Sequence, residues 1–331
     1  MNSLSPIATA TAVPVRLGAL PPLPQAPSRS QSVSSCILAV AADLLPCLER
    51  GDRIDAYLLR NAMEVAFGAS DAAGIWDWKT AYEACEVASL LFLRKYGKAL
   101  FGKTVSSRVR LTALSKVTAL LSTHTRRSEE SQTFQQFSTP LPLGLAVIAA
   151  AKLTADDLVL EPSAGTGLLA MLAATTGSAL ALNELAETRA DLLTALFPTI
   201  PVTRFDGAQI DDQLDQTISP SVILMNPPFS AMANVNGRMR DAGFRHIQSA
   251  FNRLAPGGCL VTITGANVGP DEPGWRNAIV RMQNQGTVVF SAPIAGSAFA
   301  NHGTRFCRHK GFTNHLNSDS RLLLGGFLGS W

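Results

Sequence analysis

Apolar and polar positions fall into two textures along this chain. From about Ser35 to Leu121 the apolar residues recur at helical spacing. Ala81, Cys85, Ala88 and Phe92 sit at i, i+4, i+7 and i+11, one face of a helix. Leu111, Leu114, Val117 and Leu121 recur at similar three- and four-residue intervals. No strand-like alternation interrupts, so the pattern predicts a small all-α domain over residues 35–128. After Thr139 short apolar runs alternate with helix-like segments such as Leu185–Phe197, which predicts a mainly parallel α/β sheet with helices on both faces over residues 129–303. Leu158–Glu161, Ala179–Glu184, Val202–Asp206 and Val222–Asn226 each read as a buried strand ending in a polar residue. A helix carrying Phe244, Ile247, Phe251 and Leu254 leads into the turn Pro256-Gly257-Gly258 and a fifth strand, Cys259–Thr264. Pro273–Gln285 suits a further helix and Thr287–Ser291 a further strand.

The two ends lack such patterns. Residues 1–30 hold six prolines and only two charges, Arg16 and Arg29. The acid-poor, Ser-rich start is similar to a transit peptide, but its prolines break any amphipathic helix, so residues 1–34 are expected to form a disordered leader. Residues 304–331 are expected to be irregular, as in a truncated or frame-shifted end, because Arg305–Ser320 is scattered polar and basic residues. Arg321–Leu328 is the candidate there for one more strand.

Composition narrows the class. The 331 residues are 47% hydrophobic, enough for a sizeable core, and 7% aromatic, so that core is aliphatic. The longest apolar stretch, Leu141–Leu153, contains Pro142, Gly144 and Lys152, too broken for the ~18 residues of a membrane span, so a soluble protein with no membrane partner is expected. Five scattered cysteines with no Cys-x-x-Cys speak against a disulfide framework and a zinc module, and for reduced thiols in the cytoplasm. The tail group His302, Cys307, His309 and His315 matches no common metal spacing, so no metal is expected. Charge is uneven: between Arg94 and Arg127 lie nine cations and no acid, in a chain whose formal charge is +3. Such a stretch on an acidic body suits contact with a phosphate backbone.

The candidate chemistry gathers at the strand ends. Glu161, Glu184, Asp206 and Asn226 are 23, 22 and 20 residues apart, one βα unit each, which would line them along the carboxyl edge of one sheet. Ligands of open α/β sheets bind there. After Glu161 comes Pro162-Ser163-Ala164-Gly165-Thr166-Gly167, whose glycines allow a tight turn and close backbone approach to a ligand at a helix start. A carboxylate before that loop suits a ligand with a cationic amino-acid end and would repel a pyrophosphate, which favours S-adenosylmethionine over a dinucleotide. Glu184 is placed for ribose hydroxyls and Asp206 for an adenine amino group. In Asn226-Pro227-Pro228-Phe229 two prolines fix an extended turn at the sheet edge. The Asn226 side-chain oxygen and the Pro227 carbonyl would be two fixed acceptors, with Phe229 a platform for a planar substrate. Two acceptors on the N–H bonds of a conjugated amine turn its lone pair toward a methyl donor.

On these residues the chain resembles the amino-directed class I methyltransferases, especially those acting on the N6 amine of adenine in DNA. Phe137-Ser138-Thr139-Pro140 is similar to the segment such enzymes place before the glycine loop, and the order of the three motifs matches their gamma arrangement. More narrowly, Phe134–Ala170 and Pro256–Gly265 resemble the methyltransferase-like region at the front of bacterial strawberry-notch-type helicase proteins. The resemblance spans about Phe134 to Gly303. It implies a Rossmann-like class I methyltransferase sheet and S-adenosylmethionine as cofactor. It places Thr139, Pro140, Glu161, Pro162, Ala164, Gly165, Gly167, Glu184 and Asp206 around that cofactor, and Asn226, Pro227, Pro228 and Phe229 around a flipped-out base. The loop Ser230–Arg240 would close over the target strand. No recognition domain and no helicase region is recognisable, so DNA is the expected partner and a helicase or specificity subunit a further one. The same turn also suits a protein glutamine amide or a guanine amine in RNA, and a non-catalytic nucleic-acid-binding module would keep the same fold.

Overall fold

The computed structural model describes residues 15–16, 32–123, 138–227, 242–265, 273–295 and 318–327. Among the described residues the helical texture resolves into four α-helices, each started by a capping side chain. Ser32 caps α1 (Val33–Arg50), accepting from the Ser35 N–H; Asp55 caps α2 (Ala56–Phe67); Asp77 caps α3 (Trp78–Leu100), accepting from Thr80; Ser106 caps α4 (Ser107–Leu120). These oxygens satisfy N–H groups that the first helical turn leaves without partners. Gly51 and Gly68, left-handed at φ 79° and 73°, end the first two.

The second texture forms one sheet: β1 (Val15–Arg16), β2 (Leu158–Glu161), β3 (Ala179–Asn183), β4 (Val202–Thr203), β5 (Val222–Met225), β6 (Cys259–Gly265), β7 (Gly286–Ala295) and β8 (Ser318–Phe327). Its order is β1-β3-β2-β5-β6-β8-β7, with β4 also on β3. β1 pairs antiparallel with Ala179 and Leu180 at the start of β3, and β4 pairs parallel with Leu182 and Asn183 at its end. β2, β3, β5 and β6 are mutually parallel, whereas β8 runs antiparallel between β6 and β7. A mainly parallel run with one reversed strand inserted before the last is the Rossmann-like arrangement expected from the sequence.

Two segments differ from the sequence reading. Val15–Arg16, inside the expected disordered leader, pairs with β3. Ser318–Phe327, inside the expected irregular tail, is a ten-residue strand that extends the candidate Arg321–Leu328. Its serines and paired glycines hide the alternation that marks a strand, and its pairing comes from neighbours distant in sequence.

Strand residues alternate between two cores, as a sheet covered on both faces requires. Val159, Leu180, Leu182, Val222, Leu224 and Val261 join a continuous core with α1, α3, α5 (Leu141–Ala151), α6 (Leu168–Ala174) and α7 (Glu187–Leu196). Leu160, Ala181, Ile223, Met225 and Leu260 face the other way, against Ile210 and Leu214 of and beside the short α8 (Ile210–Gln213) and Ile247, Phe251 and Leu254 in and after α9 (Ala242–Asn252). A final helix, α10 (Pro273–Gln283), precedes β7. The helical segment therefore shares its core with one face of the sheet. Among the described residues no helix is long and apolar enough to cross a membrane.

Candidate functional site

Strand β2 delivers Glu161 to the carboxyl edge, where the side chain is 3% exposed and its Oε2 has no hydrogen-bond partner among the described residues. Burial pushes this carboxyl well above the usual carboxylate range. Nearby Glu184 pushes it the same way, and the Ala170 backbone N–H in α6 opposes. The glycine loop turns directly after it. Gly165 is left-handed, φ 57°, and the side where a Cβ would project is open. Gly167, φ 100°, differs: a Cβ there would lie 2.7 Å from Leu193 and 3.1 Å from Phe197. Both glycines were expected to admit a ligand; in the structure Gly167 admits α7 instead.

The Ser138-Thr139-Pro140 segment leads into α5, with the Pro140 carbonyl accepting from the Leu143 and Gly144 N–H groups. Asn226 follows β5 immediately, and its Nδ2 donates to Thr139 Oγ1 at 3.0 Å. Pro227 is buried; Pro228, Phe229 and the loop Ser230–Arg240 lie outside the described residues. Thr139, Glu161, Ala164, Gly165 and Asn226 line one cavity. Three motifs far apart in sequence therefore converge on it.

The other two expected strand ends are engaged differently. β3 stops at Asn183, and Glu184, buried just beyond, accepts from the Gly165 N–H through Oε2 (2.8 Å) and from the Ala186 N–H through Oε1 (2.9 Å). Each oxygen keeps a further lone pair with which a hydroxyl could bond. Asp206 was read as a strand end, but β4 stops at Thr203. Asp206 is half exposed, caps the turn Gly207–Gln209 through Ala208, and is 3.9 Å from His246 Nε2. Between them Asn183, unforeseen in the sequence, donates to the Pro162 and Phe205 carbonyls and accepts from Thr203 and Phe205, tying three strand ends together.

Three further residues reach the site from outside the motifs. Glu83 of α3 and Arg189 of α7 form a buried ion pair at 2.7 Å. Burial raises the Glu83 carboxyl despite Arg189, and burial disfavours the Arg189 guanidinium less than Glu83, Glu86 and Glu184 favour it. Glu86 lines the cavity, accepting from Ser138 Oγ and, at 2.9 Å, from Thr166 Oγ1. Burial raises its carboxyl too, against Arg189 and those two hydroxyls. The sequence signal was there: two acids three residues apart inside the apolar stretch Ala81–Leu93. Beside the cavity a groove of ≈ 890 Å³ opens between Trp76, Trp78 and Lys79 on one side and Glu184, Leu185 and Arg189 on the other.

Among the described residues no group of three His, Cys, Asp or Glu could hold a metal, and Cys36, Cys47, Cys85 and Cys259 form no disulfide. Burial raises the Cys85 thiol to about 12. The His302–His315 group lies outside the described residues. The basic stretch divides in the structure. Lys95 pairs with Glu49 at 2.6 Å, Arg110 donates to the Gly102 carbonyl and lies over the Phe101 ring, and Arg94 is half-buried. Lys98, Lys103, Arg108 and Lys116 are exposed; Arg126 and Arg127 lie outside the described residues.

No family model and no curated protein matches the chain. Among solved structures it is similar to a Listeria monocytogenes protein (lmo1582) assigned as a class I S-adenosylmethionine-dependent methyltransferase. The two are 12% identical over 89% of this chain and 88% of that one, with a TM-score of 0.47. A Pyrococcus horikoshii protein (PH1948) assigned as an RNA methyltransferase is 16% identical, covering 68% and 100%, at 0.43. A modification subunit assigned to a type I restriction enzyme of Vibrio vulnificus is 14% identical, covering 82% and 54%, at 0.43. The functional reading rests on the site's own residues.

Proposed function

We propose that the chain is an S-adenosylmethionine-dependent N-methyltransferase acting on the N6 amine of adenine in DNA. The observation that carries this reading is the convergence of Thr139, Glu161, Gly165 and Asn226 on one cavity, with the Asn226 amide bonded to Thr139 in its lining. The residues present fit that cofactor. Glu161 offers a buried carboxylate oxygen without a partner among the described residues, suited to a ligand ammonium, and Gly165 leaves its open side to a ligand. Thr139 and Ala164 would border the amino-acid end, and Glu184 would add ribose hydroxyls to the backbone groups it already holds. When bound, the cofactor supplies an electrophilic methyl group on a sulfonium, so the chemistry needs no metal.

The protein's part is to orient the acceptor. The bond from Nδ2 to Thr139 fixes the Asn226 amide, which makes Oδ1 the acceptor for a substrate N–H. With the Pro227 carbonyl as second acceptor, the amine's lone pair is directed along the line of attack. Pro228 and Phe229 complete the turn and the stacking platform in this reading. DNA is favoured as partner because Lys98, Lys103, Arg108 and Lys116 stand exposed within a stretch that contains no acid. A helicase or specificity subunit would supply sequence choice, and the cytoplasm is the compartment.

The test is to incubate the protein with methyl-labelled S-adenosylmethionine and separate pools of DNA, RNA and protein, with Asn226→Ala as control. Label in DNA as N6-methyladenine, absent with the variant, is the expected result. Label in RNA or protein moves the substrate to a guanine or glutamine amine. Cofactor binding with no label in any pool contradicts the catalytic reading.

A further inference from the structure

We propose that Glu86, carried by α3 of the helical segment, is a positioning residue that clamps the two walls of the cavity together. Its two carboxylate oxygens go to different places. One accepts from Ser138, beside Thr139 and just ahead of α5; the other accepts from Thr166 in the glycine loop at 2.9 Å. Thr139, the residue after Ser138, receives the Asn226 amide at 3.0 Å. A continuous chain of contacts therefore runs from the glycine loop through Glu86 to the Ser138–Pro140 segment and on to Asn226. It borders the cavity that Glu86, Glu161 and Asn226 all line.

Packing gives no reason for this side chain. Ala84, Cys85, Val87, Ala88, Leu90 and Leu91 around it are buried, and an apolar residue at position 86 would spare a carboxyl that burial disfavours. Arg189 stabilises the Glu86 charge only at a distance, since that guanidinium bonds Glu83 and not Glu86. What Glu86 alone provides is a two-pronged acceptor reaching both walls from a third element. Helix α3 thereby becomes part of the site, although no motif marks it. The inference rests on the reading above for the ligand, whereas the clamp itself exists without one.

The test compares Glu86→Leu with Glu86→Gln. Gln keeps both contacts, its oxygen accepting one hydroxyl and its amide donating to the other; Leu keeps the volume and loses both. Glu86→Leu is expected to fold with a Tm at or above that of the parent and to bind S-adenosylmethionine about tenfold more weakly. Glu86→Gln is expected to bind within about threefold of the parent. Should Glu86→Leu not fold, the pair Ser138→Ala with Thr166→Val cuts both arms without touching α3 and is expected to show the same loss. Parent-like binding by the variant that cuts both arms overturns the clamp. So does a Glu86→Gln protein as weak as Glu86→Leu, which would assign the effect to charge. Amide hydrogen exchange at Thr139, Gly165 and Thr166, measured without cofactor, separates the two claims. Faster exchange in the variant lacking both arms, with Glu86→Gln unchanged, supports the clamp even if the parent binds no S-adenosylmethionine, an outcome that contradicts the functional reading alone. Unchanged exchange overturns the clamp.

Discussion

The carboxyl edge of the sheet has an inner and an outer pair of strand ends, and the two are built for different work. The inner pair belongs to β2 and β5, which are direct neighbours. There Glu161 has an oxygen without a partner among the described residues, and Asn226 bonds Thr139 in the cavity wall. The outer pair follows β3 and β4. There Glu184 binds two backbone N–H groups and Asp206 caps a turn. Four polar residues at one period thus divide into two that keep polar atoms directed to a cavity and two that are largely occupied by backbone. A buried carboxylate oxygen without a partner costs free energy, and in the proposed reading a ligand supplies the missing bond. Glu184 shows the converse, a charged side chain whose first task is to hold the glycine loop.

Substitutions can break or sharpen this division. The largest effect is expected at Asn226, where Ala should reduce methyl transfer by roughly 10²–10³-fold, the range for losing one preorganised polar contact to the reacting group. Cofactor affinity should change by less than about threefold; equal losses in both would make Asn226 a holding residue like Glu184. Next come matched Glu→Gln changes at the two neighbouring ends. Glu184→Gln leaves one backbone N–H without its acceptor and should lower the unfolding free energy by about 1–3 kcal/mol in urea melts. Glu161→Gln removes a disfavoured buried charge, so its stability should hold or rise. Losses of similar size at both positions would erase the distinction.

A smaller effect concerns pH. Glu83, Glu86 and Glu161 all have raised carboxyls. A group whose folded pKa is raised adds stability below its unfolded pKa and loses it as pH rises through the folded value. The unfolding free energy should therefore fall as pH climbs above the ordinary carboxylate range. Glu161→Gln should flatten that slope, as urea titrations at several pH values would show. The smallest effect lies away from both pairs. Neutralising Lys98, Lys103, Arg108 and Lys116 should leave cofactor affinity unchanged and flatten the salt dependence of DNA binding by up to about 0.9 per lost phosphate contact. An unchanged slope removes this face from the interface.

Much of the fold was legible because strand and helix periods are local. Strands β2 to β6 were each readable, and the four helices described before the sheet lay within one uninterrupted helical pattern, whereas β1 lay in the expected leader. β8 was not fully legible, since a strand with glycines and serines is defined by the neighbours it joins. Within the site, the glycine loop, Thr139 and Asn226 carried their own signal as motifs. Gly167 looked like a ligand-facing glycine, and only the approach of Leu193 and Phe197 shows its packing role. Glu83 and Glu86 showed in the sequence only as two acids in an apolar stretch, and their roles, like that of Arg189, were hidden because their partners lie far off in sequence. The Glu83–Arg189 pair joins helices on either side of the glycine loop, and no local pattern encodes such a contact.

The central claim is that the cavity between the β2 and β5 ends takes the amino-acid end of S-adenosylmethionine. Calorimetric titration of that molecule into the parent protein and into Glu161→Gln tests it most directly. Saturable binding by the parent, weakened at least tenfold in a variant that melts no lower, is the predicted result. Equal affinity in both proteins, or no binding by the parent, would contradict it.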